Sequence, residues 1–271
     1  MHYCILDPMG NITALVEDAV PVGDQSKVAA WIMKRHPDVE QVGFMKLAAS
    51  SLGGRELQAS LRMAGGEFCG NASMCAASLY ALRTGWSGHT VWLEVSGASE
   101  PVCVTLSSDG RGGFETSIQM PAARDVRLER LTWQGTAVEV PVVHLEGISH
   151  AILEPSLPFF ELRYKRVEAE HAIRNWCDSL GLDGLGLMFV EGEGLAHKTL
   201  TPLVYIPGSD TVFWERSCAS GSAAVGLFFL EKTKAPIDLQ LQEPGGIMRV
   251  EGDPTNNHIT LHGHVRFVKS G

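Results

Sequence analysis

The sequence predicts an α+β protein of two pseudo-symmetric, mostly-β halves, each wrapped around one buried helix, with the active site in the cleft between them. Three observations predict it. Two segments look like copies of one device, Phe68-Cys69-Gly70-Asn71-Ala72-Ser73-Met74-Cys75-Ala76-Ala77 and Ser217-Cys218-Ala219-Ser220-Gly221-Ser222-Ala223-Ala224-Val225. Each puts a cysteine ahead of small residues that open an apolar, helix-forming run. Those runs are apolar on most faces, so their helices belong inside the protein. Almost everything around them has the short alternating or β-branched pattern of strands.

The elements follow in order. Pro8-Met9-Gly10-Asn11 is a turn before a strand at Ile12 to Val16. Ser26 to Arg35 has helical spacing through Val28, Trp31 and Ile32, with Ser26 as its N-cap. Val39 to Leu47 and Glu56 to Met63 are strands joined through the turn signal Ser50-Ser51-Leu52-Gly53-Gly54. The first buried helix runs from Ser73 to Arg83. Strands follow at Val91 to Val95, Val102 to Leu106 and Phe114 to Met120.

Pro121-Ala122-Ala123-Arg124 marks a boundary. It divides the chain into 1–121, completed by the final strand 259–271, and 122–258. The second half has strands at Ala137 to Leu145 and His150 to Glu154, then a helix from Arg166 to Leu180. Strands follow at Leu187 to Val190, Thr201 to Ile206 and Thr211 to Trp214. The second cysteine-led helix spans Gly221 to Glu231. Leu239 to Leu241, Ile247 to Val250, Ile259 to Leu261 and Val265 to Val268 complete the strands.

Composition narrows the function. The 271 residues are 45% hydrophobic and 20% charged, with a net charge of −9. That balance is globular and argues against nucleic acid as a partner. No apolar run reaches the roughly 18 residues of a membrane helix, and Met1-His2-Tyr3-Cys4 lacks a signal-peptide pattern. The expected location is the cytoplasm, where the six cysteines are thiols. No Cys-x-x-Cys pair suggests zinc. His262 and His264 share one side of a strand without an evident third ligand, so no metal is expected.

The paired cysteines carry the chemistry. A thiol at a helix N-terminus lies at the positive end of the macrodipole, which lowers its pKa from about 8.5 toward neutrality. The N–H groups there also hold anions such as a carboxylate. Two such sites point to two acid/base groups flanking one small carboxylate substrate. Cys4, Cys75, Cys103 and Cys177 read as packing residues.

These residues resemble the diaminopimelate epimerase superfamily, the cofactor-independent amino acid racemases. The resemblance spans nearly the whole chain. It includes Gly10-Asn11, Glu40-Gln41, Cys69-Gly70-Asn71, His150, Glu215-Arg216, Cys218 with Ser220-Gly221, and Pro244-Gly245-Gly246. Within the superfamily, Glu40-Gln41-Val42-Gly43-Phe44, Glu67-Phe68-Cys69-Gly70-Asn71-Ala72, Tyr205-Ile206-Pro207 and Trp214-Glu215 resemble the histidine racemases of metallophore biosynthesis. The resemblance implies a diaminopimelate epimerase-like fold, a homodimer, no cofactor, and an amino acid substrate. It implies that one of Cys69 and Cys218 removes the α-proton as thiolate while the other protonates the opposite face. The backbone of Gly70, Asn71, Ala219 and Ser220 would hold the carboxylate. Asn11, Gln41 and Glu215 would hold the ammonium group, and Arg216 the carboxylate or side chain.

The epimerase grips the distal end of its substrate with asparagines, where this chain has Met63, Ile148 and Gly184. Leaving a distal charge without partners costs several kcal/mol. A monocarboxylic amino acid fits better, with histidine the first choice. Three alternatives stand beside this reading. One is diaminopimelate epimerase or a racemase of another amino acid. Another is a cysteine hydrolase with His150 as base, and the third a non-catalytic amino acid binder.

Overall fold

The structure, a computed structural model, describes residues 1–52, 55–123, 125–255 and 258–270. The architecture is mixed α+β, dominated by barrel-like sheet with few helices. The chain forms two compact units, Met1–Met120 with Thr260–Gly271, and Pro121–Ile259.

In the first unit the strands are β1 (Tyr3–Pro8), β2 (Thr13–Val16), β3 (Gln41–Leu52), β4 (Arg55–Met63), β5 (Thr90–Val95), β6 (Val102–Ser108) and β7 (Phe114–Gln119). They pair in sequence order. The final strand, β16 (His258–Ser270), pairs with β7 on one side and β1 on the other, which closes the sheet on itself. The β2–β3 and β4–β5 pairs are parallel, so each needs a crossover. The first crossover is α1 (Val22–Arg35), which packs Ala29 and Ile32 against Tyr3, Val16, Val42 and Phe44. The second is α2 (Gly70–Thr84), which packs against strands β1 to β7.

Small side chains explain the burial of α2. Ala72, Ala76 and Ala77 are fully buried, and the helix has no polar stripe for solvent. Gly85, at φ 65°, ends it in the left-handed conformation that favours glycine.

The second unit contains β8 (Asp125–Trp133), β9 (Thr136–His144), β10 (Ser149–Leu153), β11 (Leu185–Glu191), β12 (His197–Ile206), β13 (Thr211–Trp214), β14 (Ile237–Glu243) and β15 (Gly246–Asp253). The sheet order is β8-β9-β10-β11-β12-β14-β15, with β13 also on β12. α3 (Arg166–Leu180) packs Ala169, Ile173 and Trp176 into a core with Phe159, Leu187 and Leu203. α4 (Ala219–Thr233) packs against β8 to β11, β14 and β15. At Gly226 of α4 an added Cβ would lie 2.6 Å from Val250 Cγ1, so β15 approaches the helix as closely as glycine permits.

Four sequence expectations need correction. α1 begins at Val22, so Ser26 is an interior residue; the N-cap is Pro21, without a side-chain cap. α2 and α4 begin at Gly70 and Ala219, directly after their cysteines, rather than at Ser73 and Gly221. Ile259 to Leu261 and Val265 to Val268 belong to one continuous strand, because Gly263 stays extended in register with Thr116. Strands β1 and β8 are additional to those the sequence predicts. Gly53 and Gly54 of the turn signal, and Arg124 of the boundary signal, lie outside the described residues.

Candidate active site

Both cysteines occupy the same place in their units. Cys69 is the N-cap of α2, with extended backbone (φ −136°, ψ 111°), and its sulfur accepts the Ala72 N–H at 3.3 Å. Cys218 is the N-cap of α4 (φ −130°, ψ 99°), and its sulfur accepts the Gly221 N–H at 3.4 Å. Each thiol therefore does what a serine or aspartate does at a helix start, and a first-turn N–H stabilises negative charge on sulfur. Gly70 and Asn71, and Ala219 and Ser220, carry the other N–H groups at these helix ends.

In the first unit a line of hydrogen bonds leads away from Cys69. Its thiol donates to Gln41 Oε1 at 3.0 Å, and Gln41 Nε2 donates to Thr13 Oγ1 at 2.7 Å. The Thr13 hydroxyl donates to the Asn11 carbonyl at 3.0 Å, and Asn11 Nδ2 donates to Glu40 Oε2 at 2.7 Å. The parallel β2–β3 register, which sets Thr13 opposite Gln41, brings these residues together. Asn11 Oδ1 is buried without a hydrogen-bond partner among the described residues. Asn71 is buried beside Cys69 at the start of α2. Met63, at the end of β4, is fully buried.

In the second unit β13 delivers Glu215, Arg216 and Ser217 to the head of α4. The Cys218 thiol is hydrogen-bonded to Glu215, and Ser220 Oγ lies 3.7 Å from its sulfur. Burial first, then the charge and hydrogen bond of Glu215 and the charge of Glu243, push this thiol well above the usual range. The expected lowering by the helix end does not prevail at Cys218, because a nearly buried sulfur beside carboxylates loses more than the dipole returns. Arg216 is exposed, and its carbonyl accepts the Gly245 N–H at 2.7 Å, which ties the Pro244-Gly245-Gly246 turn to the cysteine segment. Ile148 and Gly184 lie together with Ile206: a Cβ on Gly184 would meet Ile206 Cδ1 at 3.1 Å and Ile148 Cγ1 at 3.3 Å. This patch presents aliphatic surface, not amide groups.

His150 is not a base for either thiol. It is fully buried in β10 against Gly186, both ring nitrogens lack a hydrogen-bond partner among the described residues, and burial pushes its pKa down to about 3. His264 pairs with Asp109 at 2.8 Å, and no three His, Cys, Asp or Glu side chains converge as metal ligands among the described residues. Cys4, Cys75 and Cys177 are buried and Cys103 is half-buried. No helix among the described residues is long and apolar enough to cross a membrane.

Sequence reasoning missed Thr13, which links Gln41 to the Asn11 backbone, and Glu243, which accepts the Cys218 backbone N–H at 2.7 Å. Thr13 sits in an ordinary strand pattern and gives no signal. Glu243 is a glutamate that never reaches solvent, and its position just before Pro244-Gly245-Gly246 is the only hint.

The family described as histidine racemase CntK N-terminal domain matches residues 1–271. The chain belongs to the histidine racemase family. A histidine racemase of Fusobacterium nucleatum subsp. nucleatum strain ATCC 23726 is 31% identical over 280 residues, covering 100% of this chain and 96% of that one. One from Staphylococcus aureus strain Mu50 is 27% identical, over 98% and 94% of the two chains. Among solved structures, a hydroxyproline epimerase from Agrobacterium vitis is similar with a TM-score of 0.71 at 13% identity, covering 100% and 91%. A probable proline racemase from Agrobacterium radiobacter K84 is similar at 0.67 and 12%, covering 100% and 92%. The structural likenesses establish the shared fold; the sequence family makes the chain an isomerase, an amino acid racemase.

Proposed function

We propose that this racemase interconverts L- and D-histidine by a two-base mechanism without pyridoxal phosphate, with Cys69 and Cys218 as the acid/base pair. The carrying observation is that both thiols cap buried helices and each accepts a first-turn N–H. One thiolate removes the α-proton, and the thiol of the other protonates the opposite face. Direction reverses with the enantiomer bound.

The α-hydrogen of an amino acid is a very weak acid, so the carbanion needs concentrated positive potential. The N–H groups of Gly70, Asn71, Ala219 and Ser220 suit the α-carboxylate, on which the developing charge is spread. Asn11 Oδ1, Gln41 and Glu215 suit the α-ammonium group as acceptors, with Glu40 adding charge behind Asn11. Arg216 serves the carboxylate or the side chain.

The histidine assignment rests on the family and on the aliphatic character of Met63, Ile148 and Gly184, which disfavours a second charged centre. We read both units as diaminopimelate epimerase-like halves wrapped around their cysteine-led helices. The working form is inferred to be a homodimer from the family resemblance, and its location to be the cytoplasm from the sequence pattern.

Chiral analysis after incubation with L-histidine, diaminopimelate and a panel of L-amino acids, with reductant and no added cofactor, tests this reading. D-Histidine as the principal product supports it. Inversion of another amino acid alone would replace the substrate. No inversion of any would remove the proposal.

A further inference from the structure

Glu243 is the C-terminal residue of β14, and its side chain turns inward, 2% exposed. One carboxylate oxygen accepts the backbone N–H of Cys218 at 2.7 Å, and the other accepts the hydroxyl of Ser222, one turn into α4. Two donors from the head of α4 thus converge on a single buried acid. A glutamate is an expensive side chain to bury, since desolvation of its charge costs several kcal/mol. A structural cap for α4 could have been made with a neutral group.

We propose that Glu243 is a positioning residue for Cys218: it fixes the thiol at the head of α4 through the backbone N–H, and its negative charge keeps that thiol protonated. The proposal rests on the assignment of Cys218 to the reaction. Cys69 differs in this respect. Its thiol partner is the neutral amide of Gln41, which can accept from a thiol or, turned over, donate to a thiolate. Cys218 lies beside two carboxylates, Glu215 and Glu243, which only accept when ionised. In the resting protein the proton therefore belongs on Cys218.

Electrostatics agree with the geometry. Burial pushes the Glu243 carboxyl up to about 7, against the Ser222 and Cys218 donors, which favour the carboxylate. The ionisable groups on the adjoining segment are Glu215, Arg216 and Cys218. On β14 and β15, Asp238 and Glu251 are held by Arg249 at the exposed face, away from Glu243. Cys218 thus meets the charge of Glu215 first and that of Glu243 second, after burial.

The test is a titration of the Cys218 thiolate by its ultraviolet absorbance, taken as the difference between Cys69→Ser and Cys69→Ser/Cys218→Ser proteins, with and without Glu243→Gln. The amide keeps the shape and still accepts the Cys218 N–H, but carries no charge. The expected result is a midpoint lower by about one pH unit or more in the Gln variant. In the Cys69-intact background, kcat should fall with KM within about twofold, since Glu243 does not reach substrate. An unchanged midpoint in folded Glu243→Gln protein overturns the proposal. If that variant does not fold, Glu243→Ala is used. That variant too leaves no negative charge below Cys218 and should lower the midpoint in the same direction; no movement overturns the proposal. Turnover by Cys218→Ala would instead defeat the proposed mechanism, and the titration reads the coupling without any turnover.

Discussion

The Cys69 thiol donates to the Gln41 carboxamide at 3.0 Å, and that amide is held by Thr13, directly opposite Gln41 in the β2–β3 register. The sulfur is therefore oriented from two sides, by Gln41 and by the Ala72 N–H. Gln41→Leu removes the amide and leaves Thr13 Oγ1 without its donor. Loss of a hydrogen bond to a reacting group is worth about 1–3 kcal/mol. The variant should lose about tenfold or more in kcat/KM for racemisation while remaining folded by circular dichroism. Thr13→Val should give a smaller loss in the same direction.

Gly97 sits at φ 74°, and a Cβ there would lie 2.2 Å from the Phe68 backbone nitrogen. Phe68 immediately precedes Cys69. Gly97→Ala combines a strained backbone with a backbone collision that no rotamer relieves, and should cost about 2 kcal/mol or more. For a unit of this size, thermal unfolding should move down by about 5 °C. Racemisation measured well below the melting temperature should also fall, because the loop that carries the thiol must shift.

His150 is depressed to about 3 in the folded protein from an ordinary value of 6.5. Between these values the unfolded chain binds the extra proton and the folded chain does not. Stability contributed by the neutral ring is thus complete above 6.5 and is lost as pH falls toward 3. At pH 5 the loss is about 2 kcal/mol. His150→Asn should be less stable than the parent at pH 8, and the gap should narrow or reverse by pH 5 in denaturant titrations.

If no pyridoxal cofactor takes part, carbonyl reagents such as hydroxylamine should leave racemisation unchanged, while methyl methanethiosulfonate should abolish it until dithiothreitol is added. Inhibition by hydroxylamine, relieved by pyridoxal phosphate, would point to aldehyde chemistry.

Parts of this arrangement are readable in the chain because they leave a local signature. The helices behind Cys69 and Cys218 are evident from runs such as Ala76-Ala77 and Ala223-Ala224, where small apolar residues have no polar face to expose. The sheet-dominated α+β class follows from the strands between them. Other parts leave none. β8 is mostly solvated, with Arg127, Glu129 and Arg130 in its middle, so the alternation that marks a half-buried strand is absent. α1 starts four residues before Ser26 because Pro21 opens the helix and tertiary burial of Gln25 and Ala29 holds its first turns. Thr13 and Glu243 matter through partners 28 and 25 residues away, a relationship set by strand register and by the return of β14 to α4. The strong upward shift of Cys218 comes first from burial, then from Glu215 and then from Glu243, and the helix end alone suggests the opposite direction.

The central claim is that two different thiols face the α-carbon, and its most direct test is the early time course of L-histidine racemisation in deuterated buffer. Protium and deuterium are followed separately in each enantiomer by mass spectrometry and chiral separation. A two-base mechanism predicts that newly formed D-histidine carries deuterium from its first appearance while the remaining L-histidine stays protiated. Early D-histidine that retains the original protium, or deuterium entering both enantiomers equally from the start, would mean that a single group serves both faces, and would contradict the account.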